Sequence, residues 1–218
     1  MSAAETLTPG ASDAPSQEAI RWVALGDSFT AGLSPSERTW AMIVRDRLAD
    51  GRTASLLNLA RVGARTTEVE REQLPVAAGS DPTLVTLICG GNDVVRSVRP
   101  DLDSLTDDLD RLFAKAGDRL PTARLVTATY PAIACDSLRQ RTRRRITDGM
   151  TAVNSIIREV SASRGIECVE LAEHPGQADT GNYADDGIHP SPAGHRAAAD
   201  VLGSAIEDLL RAEPEEDR

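Results

Sequence analysis

Ile20-Arg21-Trp22-Val23-Ala24-Leu25-Gly26-Asp27-Ser28-Phe29-Thr30 reads as a buried strand that stops at a glycine and passes straight into a helix. Such a junction leaves the Ser28 hydroxyl at the carboxyl end of the strand, beside helix N-terminal amides that have no partner within the helix. Those free N–H groups favour developing negative charge, so the position suits a nucleophile. Taken alone, the same Asp-Ser pair also fits an ordinary helix cap. A second signal stands near the other end of the chain, where Asp186-Gly187-Ile188-His189-Pro190 sets an Asp and a His three residues apart.

Around this core stretch, the 218 residues are enough to bury one domain's core. With 40% apolar but only 3% aromatic residues, that core is expected to be built from Leu, Val, Ile and Ala. A net charge of −10 argues against nucleic acid and anionic lipid surfaces as partners. Residues 1–19 hold neither a basic nor an apolar block and read as a disordered leader before a domain spanning 20–211. Residues 212–218 form a charged tail. No apolar run reaches the ~20 residues of a membrane span, so membrane insertion is not expected. Three widely spaced cysteines, Cys89, Cys135 and Cys168, suggest reduced thiols and a cytoplasmic location.

Onward from Ser28, a helical pattern runs from Glu37 to Ala49. A strand follows at Ala54–Leu59, then a loop through Gly63, then a helix from Thr66 expected to stop before Pro75. Thr83–Cys89 is almost wholly apolar, as a strand covered on both faces should be, and it ends in Gly90-Gly91-Asn92-Asp93. A helix at 102–116, a strand at Arg124–Thr129, a long helix ending near Ser163, an edge strand at Ile166–Leu171 and a helix from Pro192 to Leu210 complete the chain. Five alternations of strand and helix predict a parallel five-stranded sheet between two helix layers, an α/β/α sandwich of flavodoxin-like topology. Between the fourth strand and the long helix lie Arg139, Arg141, Arg143, Arg144 and Arg145, read as the solvated face of a helix start, with an anion-binding or lid role as the alternative.

In such a sheet, ligands bind beyond the carboxyl ends of the strands. Ser28, Gly63, Asn92, Asp186 and His189 all follow strands, so the topology brings them to one edge. Considered singly, Gly63 is a turn glycine, Asn92-Asp93 a helix cap and Asp27 a local turn former. His174 lacks a motif partner, and His195 inside the last helix reads as a surface or packing residue. A zinc site from His189, His195 and Asp186 matches no common spacing.

Gly26-Asp27-Ser28-Phe29-Thr30, Asn58 followed by Gly63, Gly90-Gly91-Asn92-Asp93, and Asp186-Gly187-Ile188-His189-Pro190 together resemble the four sequence blocks of the SGNH hydrolases, the GDSL lipase/esterase superfamily. The resemblance covers roughly residues 20–210 and is strongest to small single-domain bacterial members. It implies Ser28 as nucleophile, His189 as general base and Asp186 as the acid that orients it. It also implies an oxyanion hole from the N–H groups of Ser28 and Gly63 and the side-chain amide of Asn92. The implied reaction is cleavage of a carboxylic ester, a short-chain ester or an O-acetyl group on a soluble metabolite or sugar, with no metal or organic cofactor. Thioester hydrolysis, or acyl transfer from the same acyl-enzyme, remains an alternative, as does a non-catalytic module that binds an acylated ligand. The expected partner is a small-molecule ester or thioester, and a Gly-x-Ser-x-Gly elbow or a phosphate-binding P-loop is absent from the sequence.

Overall fold

The computed structural model describes residues 18–133 and 138–212, so almost all of the expected leader and tail, together with Cys135, lie outside the described residues. Five strands, β1 (Ile20–Gly26), β2 (Ala54–Asn58), β3 (Leu84–Ile88), β4 (Arg124–Ala128) and β5 (Glu167–Val169), form one parallel sheet in the order β2-β1-β3-β4-β5. The helices are α1 (Ser28–Ala31), α2 (Trp40–Leu48), α3 (Thr66–Glu68), α4 (Leu74–Ala78), α5 (Gly91–Val95), α6 (Leu102–Arg119), α7 (Gln140–Ser163) and α8 (Pro192–Arg211). Right-handed crossovers put the β1-to-β2 connection on one face of the sheet and the later connections on the other. Accordingly α2 packs against α8, while α6 packs against α3 and α7.

Every residue of β3, the central strand, is buried, which explains its unbroken apolar run. The scarce aromatics run in a chain from inside β1 to the carboxyl edge of the sheet. Trp22 lies 5.7 Å from Trp40, Trp40 lies 6.3 Å from Phe29, and Phe29 meets Tyr130 edge-on at 5.9 Å. Thus four of the chain's six aromatic residues link the core to the residues around Ser28. The Trp22 indole N–H donates to Thr86 Oγ1 at 3.0 Å, so its burial leaves no polar atom unmatched.

The edge strand expected at Ile166–Leu171 is only Glu167–Val169, α5 has no counterpart in the sequence expectation, and two helix ends depart from it. The helix expected from Glu37 starts at Trp40, because the Glu37 carboxylate turns back to accept the Leu33 N–H (2.5 Å) and to meet His195 Nε2 (3.2 Å). The helix expected to end before Pro75 continues to Ala78 through a π-helical turn at Val69–Gln73, closed by Leu74 N–H to Val69 O. The wider turn leaves Pro75 at the start of α4, where a missing N–H costs little.

Candidate active site

The turn after β1 is possible because residue 26 is glycine. Its φ of +145° is hostile to side chains, and a Cβ there would stand 2.1 Å from the Ile88 carbonyl oxygen of the neighbouring strand. Gln73, aimed by the π-helical turn, acts as a substitute strand partner: it accepts from Gly26 N–H at 2.8 Å and donates to Gly26 O at 2.9 Å. Asp27 then caps α1 by accepting the Phe29 N–H at 3.0 Å. Ser28, the first residue of α1, is 8% exposed, and its Oγ lies 3.0 Å from His189 Nε2.

The His189 loop is organised by Asp186. Its Oδ1 accepts the N–H groups of Ile188 (2.9 Å) and His189 (3.0 Å), and its Oδ2 meets His189 Nδ1 at 2.5 Å. Partial burial would raise the Asp186 carboxyl, but the hydrogen bonds from His189 and Ile188 outweigh it and hold the group below the usual carboxylate range. A carboxylate at Nδ1 assigns the ring proton to that nitrogen and leaves Nε2 free to accept from Ser28. Ala184 N–H to His189 O (2.8 Å) and Gly187 N–H to Ala184 O (2.8 Å) close the loop on itself.

Three side chains of the α5 segment hold the loop after β2. Asn92 Nδ2 donates to Ala64 O (3.1 Å), Asp93 accepts from Thr66 N–H and Oγ1 (both 3.1 Å), and Arg96 Nη1 donates to Gly63 O (2.7 Å). Gly63 adopts φ +78°. Asn92 and Asp93 do not cap α5; Gly90, with φ +113°, occupies that position, and both side chains are free for tertiary work. Among the described residues, neither the Ser28 nor the Gly63 N–H has an acceptor. Both line one cleft with Asn92 and His189.

Asp27 is more than a local turn former. Only 3% exposed, it accepts from Tyr130 O–H at 2.7 Å and faces Asn92 Nδ2 at 3.4 Å. Burial pushes its carboxyl up from 3.8 to about 6. The Tyr130 hydroxyl, the Phe29 N–H and His189 pull in the opposite direction, and Asp93 adds to the rise. Tyr130 is itself fixed by Asn154 of α7, which accepts its N–H (2.8 Å) and donates to its carbonyl (2.9 Å). No local sequence pattern marks Tyr130, Asn154, Gln73 or Arg96 for these roles. Their one legible signal was position, since Tyr130 and Arg96 both follow strands.

The two remaining histidines hold the fold together away from Ser28. His195, 1% exposed, accepts the Trp40 N–H at Nδ1 (3.2 Å) and faces Glu37 at Nε2 (3.2 Å), so it packs α8 against α2. Burial lowers its basicity. His174 accepts the Gly176 N–H at 3.2 Å and caps a short turn. The Cys89 thiol is buried and pushed well up. Among the described residues, no cluster of His, Cys, Asp or Glu has the arrangement of a metal site, and no helix is long and apolar enough to cross a membrane.

The cleft has a volume of ≈ 250 Å³, with Val62, Val95, Ile133, Met150 and Ile188 forming apolar walls beside Ser28. A hollow of ≈ 50 Å³ adjoins it past Ile188 and Pro190, reaching Leu171 and Val201. The fold is shared with solved structures. A lipase/acylhydrolase from Enterococcus faecalis is 20% identical with a TM-score of 0.68, over 90% of this chain and 98% of that one. The psychrotrophic esterase EstA from Pseudoalteromonas is 18% identical with a TM-score of 0.65, over 88% and 98%. The extracellular lipase from Streptomyces rimosus is 21% identical with a TM-score of 0.63, over 84% and 98%. No curated protein matches the sequence. The model of the GDSL-like Lipase/Acylhydrolase family matches residues 24–197, and the chain belongs to that family, the SGNH-type esterases.

Proposed function

We propose that the protein cleaves a short-chain carboxylic ester through an acyl-enzyme on Ser28. The observation that carries this reading is the unbroken hydrogen-bonded line Ser28 Oγ to His189 Nε2 (3.0 Å) and His189 Nδ1 to Asp186 Oδ2 (2.5 Å) at the floor of an apolar cleft. Ser28 Oγ attacks the acyl carbon as His189 takes its proton. Asp186 stabilises the resulting imidazolium and keeps the ring in register. The oxygen of the tetrahedral intermediate is received by the N–H groups of Ser28 and Gly63 and by Asn92 Nδ2. One hydrogen of that amide is anchored on Ala64 O, and the other makes only the long 3.4 Å approach to Asp27, which leaves it available to a substrate oxygen. His189 then protonates the departing alcohol, and water repeats the sequence to release the acid.

A cleft of ≈ 250 Å³ is small beside the ~300–1,000 Å³ of typical small-molecule sites, which favours a short acyl group. The test is intact-mass labelling with a fluorophosphonate on the wild type and Ser28→Ala, followed by p-nitrophenyl esters of increasing chain length. Labelling that vanishes with Ser28→Ala, and rates that fall beyond a few carbons, are expected. A folded wild type that takes no label would overturn the reading in favour of a module that binds acylated ligands. Product analysis with an added alcohol separates hydrolysis from acyl transfer.

A further inference from the structure

Two donors meet at one oxygen beneath the site. Asp27 Oδ1 takes the Phe29 N–H at 3.0 Å, whereas Asp27 Oδ2 is approached by the Tyr130 hydroxyl at 2.7 Å and by Asn92 Nδ2 at 3.4 Å. Among the described residues these three groups are the donors to the carboxyl. The Tyr130 bond is a full one, while the Asn92 approach is longer than the usual ~2.7–3.2 Å of an N–H···O bond. Asn92 keeps its shorter contact, 3.1 Å, for Ala64 O.

Several elements fix Tyr130 at this oxygen. Asn154 of α7 clamps its backbone on both sides, and Phe29 of α1 meets its ring edge-on at 5.9 Å. At the start of α5, Gly91 gives the ring room, since a Cβ there would stand 3.3 Å from Tyr130 Cζ. Burial pushes the Tyr130 hydroxyl well above its ordinary range, so it stays protonated through neutral pH and can go on donating. Take that hydroxyl away, and Oδ2 of a carboxyl only 3% exposed has Asn92 as its one remaining donor. Hydrogen bonds to a poorly solvated carboxylate are short and strong, so the amide would be drawn in. Closing from 3.4 Å to the ordinary ~2.9 Å is a shift of about 0.5 Å, which commits the second amide hydrogen to Asp27. A preorganised site is sensitive to displacements of that order.

We propose that Tyr130 is a positioning residue for the oxyanion hole: its hydroxyl occupies Asp27 Oδ2 and so frees the second hydrogen of Asn92 Nδ2 for the substrate oxygen. The inference rests on the acyl-enzyme reading above and extends it to a side chain that makes and breaks no bond of the reaction. Tyr130 acts through Asn92, and its worth is the oxyanion donor that it keeps available.

A double-mutant cycle separates this role from simple support of a buried acid. Steady-state kinetics on p-nitrophenyl acetate compare the full-length wild type, Tyr130→Phe, Asn92→Ala and the pair, with active sites counted by fluorophosphonate labelling. Tyr130→Phe should lower kcat about tenfold with KM nearly unchanged, and Asn92→Ala should then cost about tenfold less than it does in the wild type. If Tyr130→Phe does not fold, the cycle is run with Asp27→Asn added, which keeps a cap residue and removes the charge that draws the amide. In that background kcat should return to within about threefold of Asp27→Asn alone. A readout without turnover is the Asn92 side-chain amide in ¹⁵N spectra, assigned by its loss in Asn92→Ala. Its free proton should move downfield in Tyr130→Phe as the bond to Asp27 shortens. Losses that simply multiply, a change confined to KM, or an unmoved amide would overturn the proposal and leave Tyr130 as structural support. A wild type that neither labels nor turns over ester removes the acyl-enzyme reading and this role with it. Normal labelling and turnover with a multiplicative cycle removes only this inference.

Discussion

On the Ser28 side of the site, the chain is held by the core: Gly26 pressed against β3, Gln73 bridging its backbone, and Asp27 buried beneath Tyr130 and Asn92. On the His189 side it is held by its own loop, with the Asp186 side chain 42% exposed and its bonds reaching no further than residue 189. The nucleophile is therefore positioned by packing that the whole domain maintains, and the base by a few local hydrogen bonds. Damage to the first side should appear as lost stability together with lost activity. Damage to the second should appear in activity alone.

The largest effect is expected from His189→Ala, which removes the base: kcat should fall about 10⁴-fold or more while the melting temperature holds. Asp186→Ala leaves the base in place and should lose roughly ten- to a hundredfold less than that. Steady-state kinetics on the two variants side by side settles it, and equal losses would mean the loop cannot keep His189 in register alone. Asn92→Ala crosses the divide, since its amide faces the cleft and also ties Ala64 to α5. A fall of about 10²–10³ in kcat, with a measurable loss in urea denaturation, is the expected pair of results.

Stability against pH sharpens the contrast further. Between pH 4 and 6 the folded chain keeps a proton on Asp27 that the unfolded chain, with its ordinary 3.8, has released. Stability from this group therefore falls as pH rises through that window and levels off above about 6. The whole change amounts to about 3 kcal/mol. Urea denaturation at intervals across the window should show that slope in the difference between wild type and Asp27→Asn. A flat difference would place the carboxyl in a wetter setting than its 3% exposure describes. The smallest effect is expected from Tyr130→Phe, which takes one hydrogen bond from Asp27 and should cost about 1–3 kcal/mol, read by the same denaturation.

Much of this could be read from residue order. The apolar run of β3, the glycines at strand ends and the Asp-x-x-His pair are short-range patterns, and each is written in consecutive residues because the backbone imposes it locally. The readings that failed depended on partners far along the chain. Pro75 signals a helix end until Gln73 is needed at Gly26, when a π-helical turn carries the chain past it. Glu37 looks helical until His195, 158 residues on, draws its carboxylate aside. Asn92-Asp93 looks like a cap until the loop at Ala64 and Thr66 is brought against it.

The sequence by itself determined the order of strands and helices, the five-stranded parallel sheet, and the identity of Ser28, Gly63, Asn92, Asp186 and His189 as residues that would meet at one edge. These follow from hydrophobic periodicity, turn chemistry and the handedness of crossovers, all carried by neighbouring residues. Only the tertiary structure decided that Asp27 is a buried acid under Tyr130, that Asn154 and Gln73 brace the site from other elements, and that Arg145 ties α7 to the α5 segment at Val94. Burial and electrostatics depend on what is near in space, and no run of consecutive residues records distance across a fold.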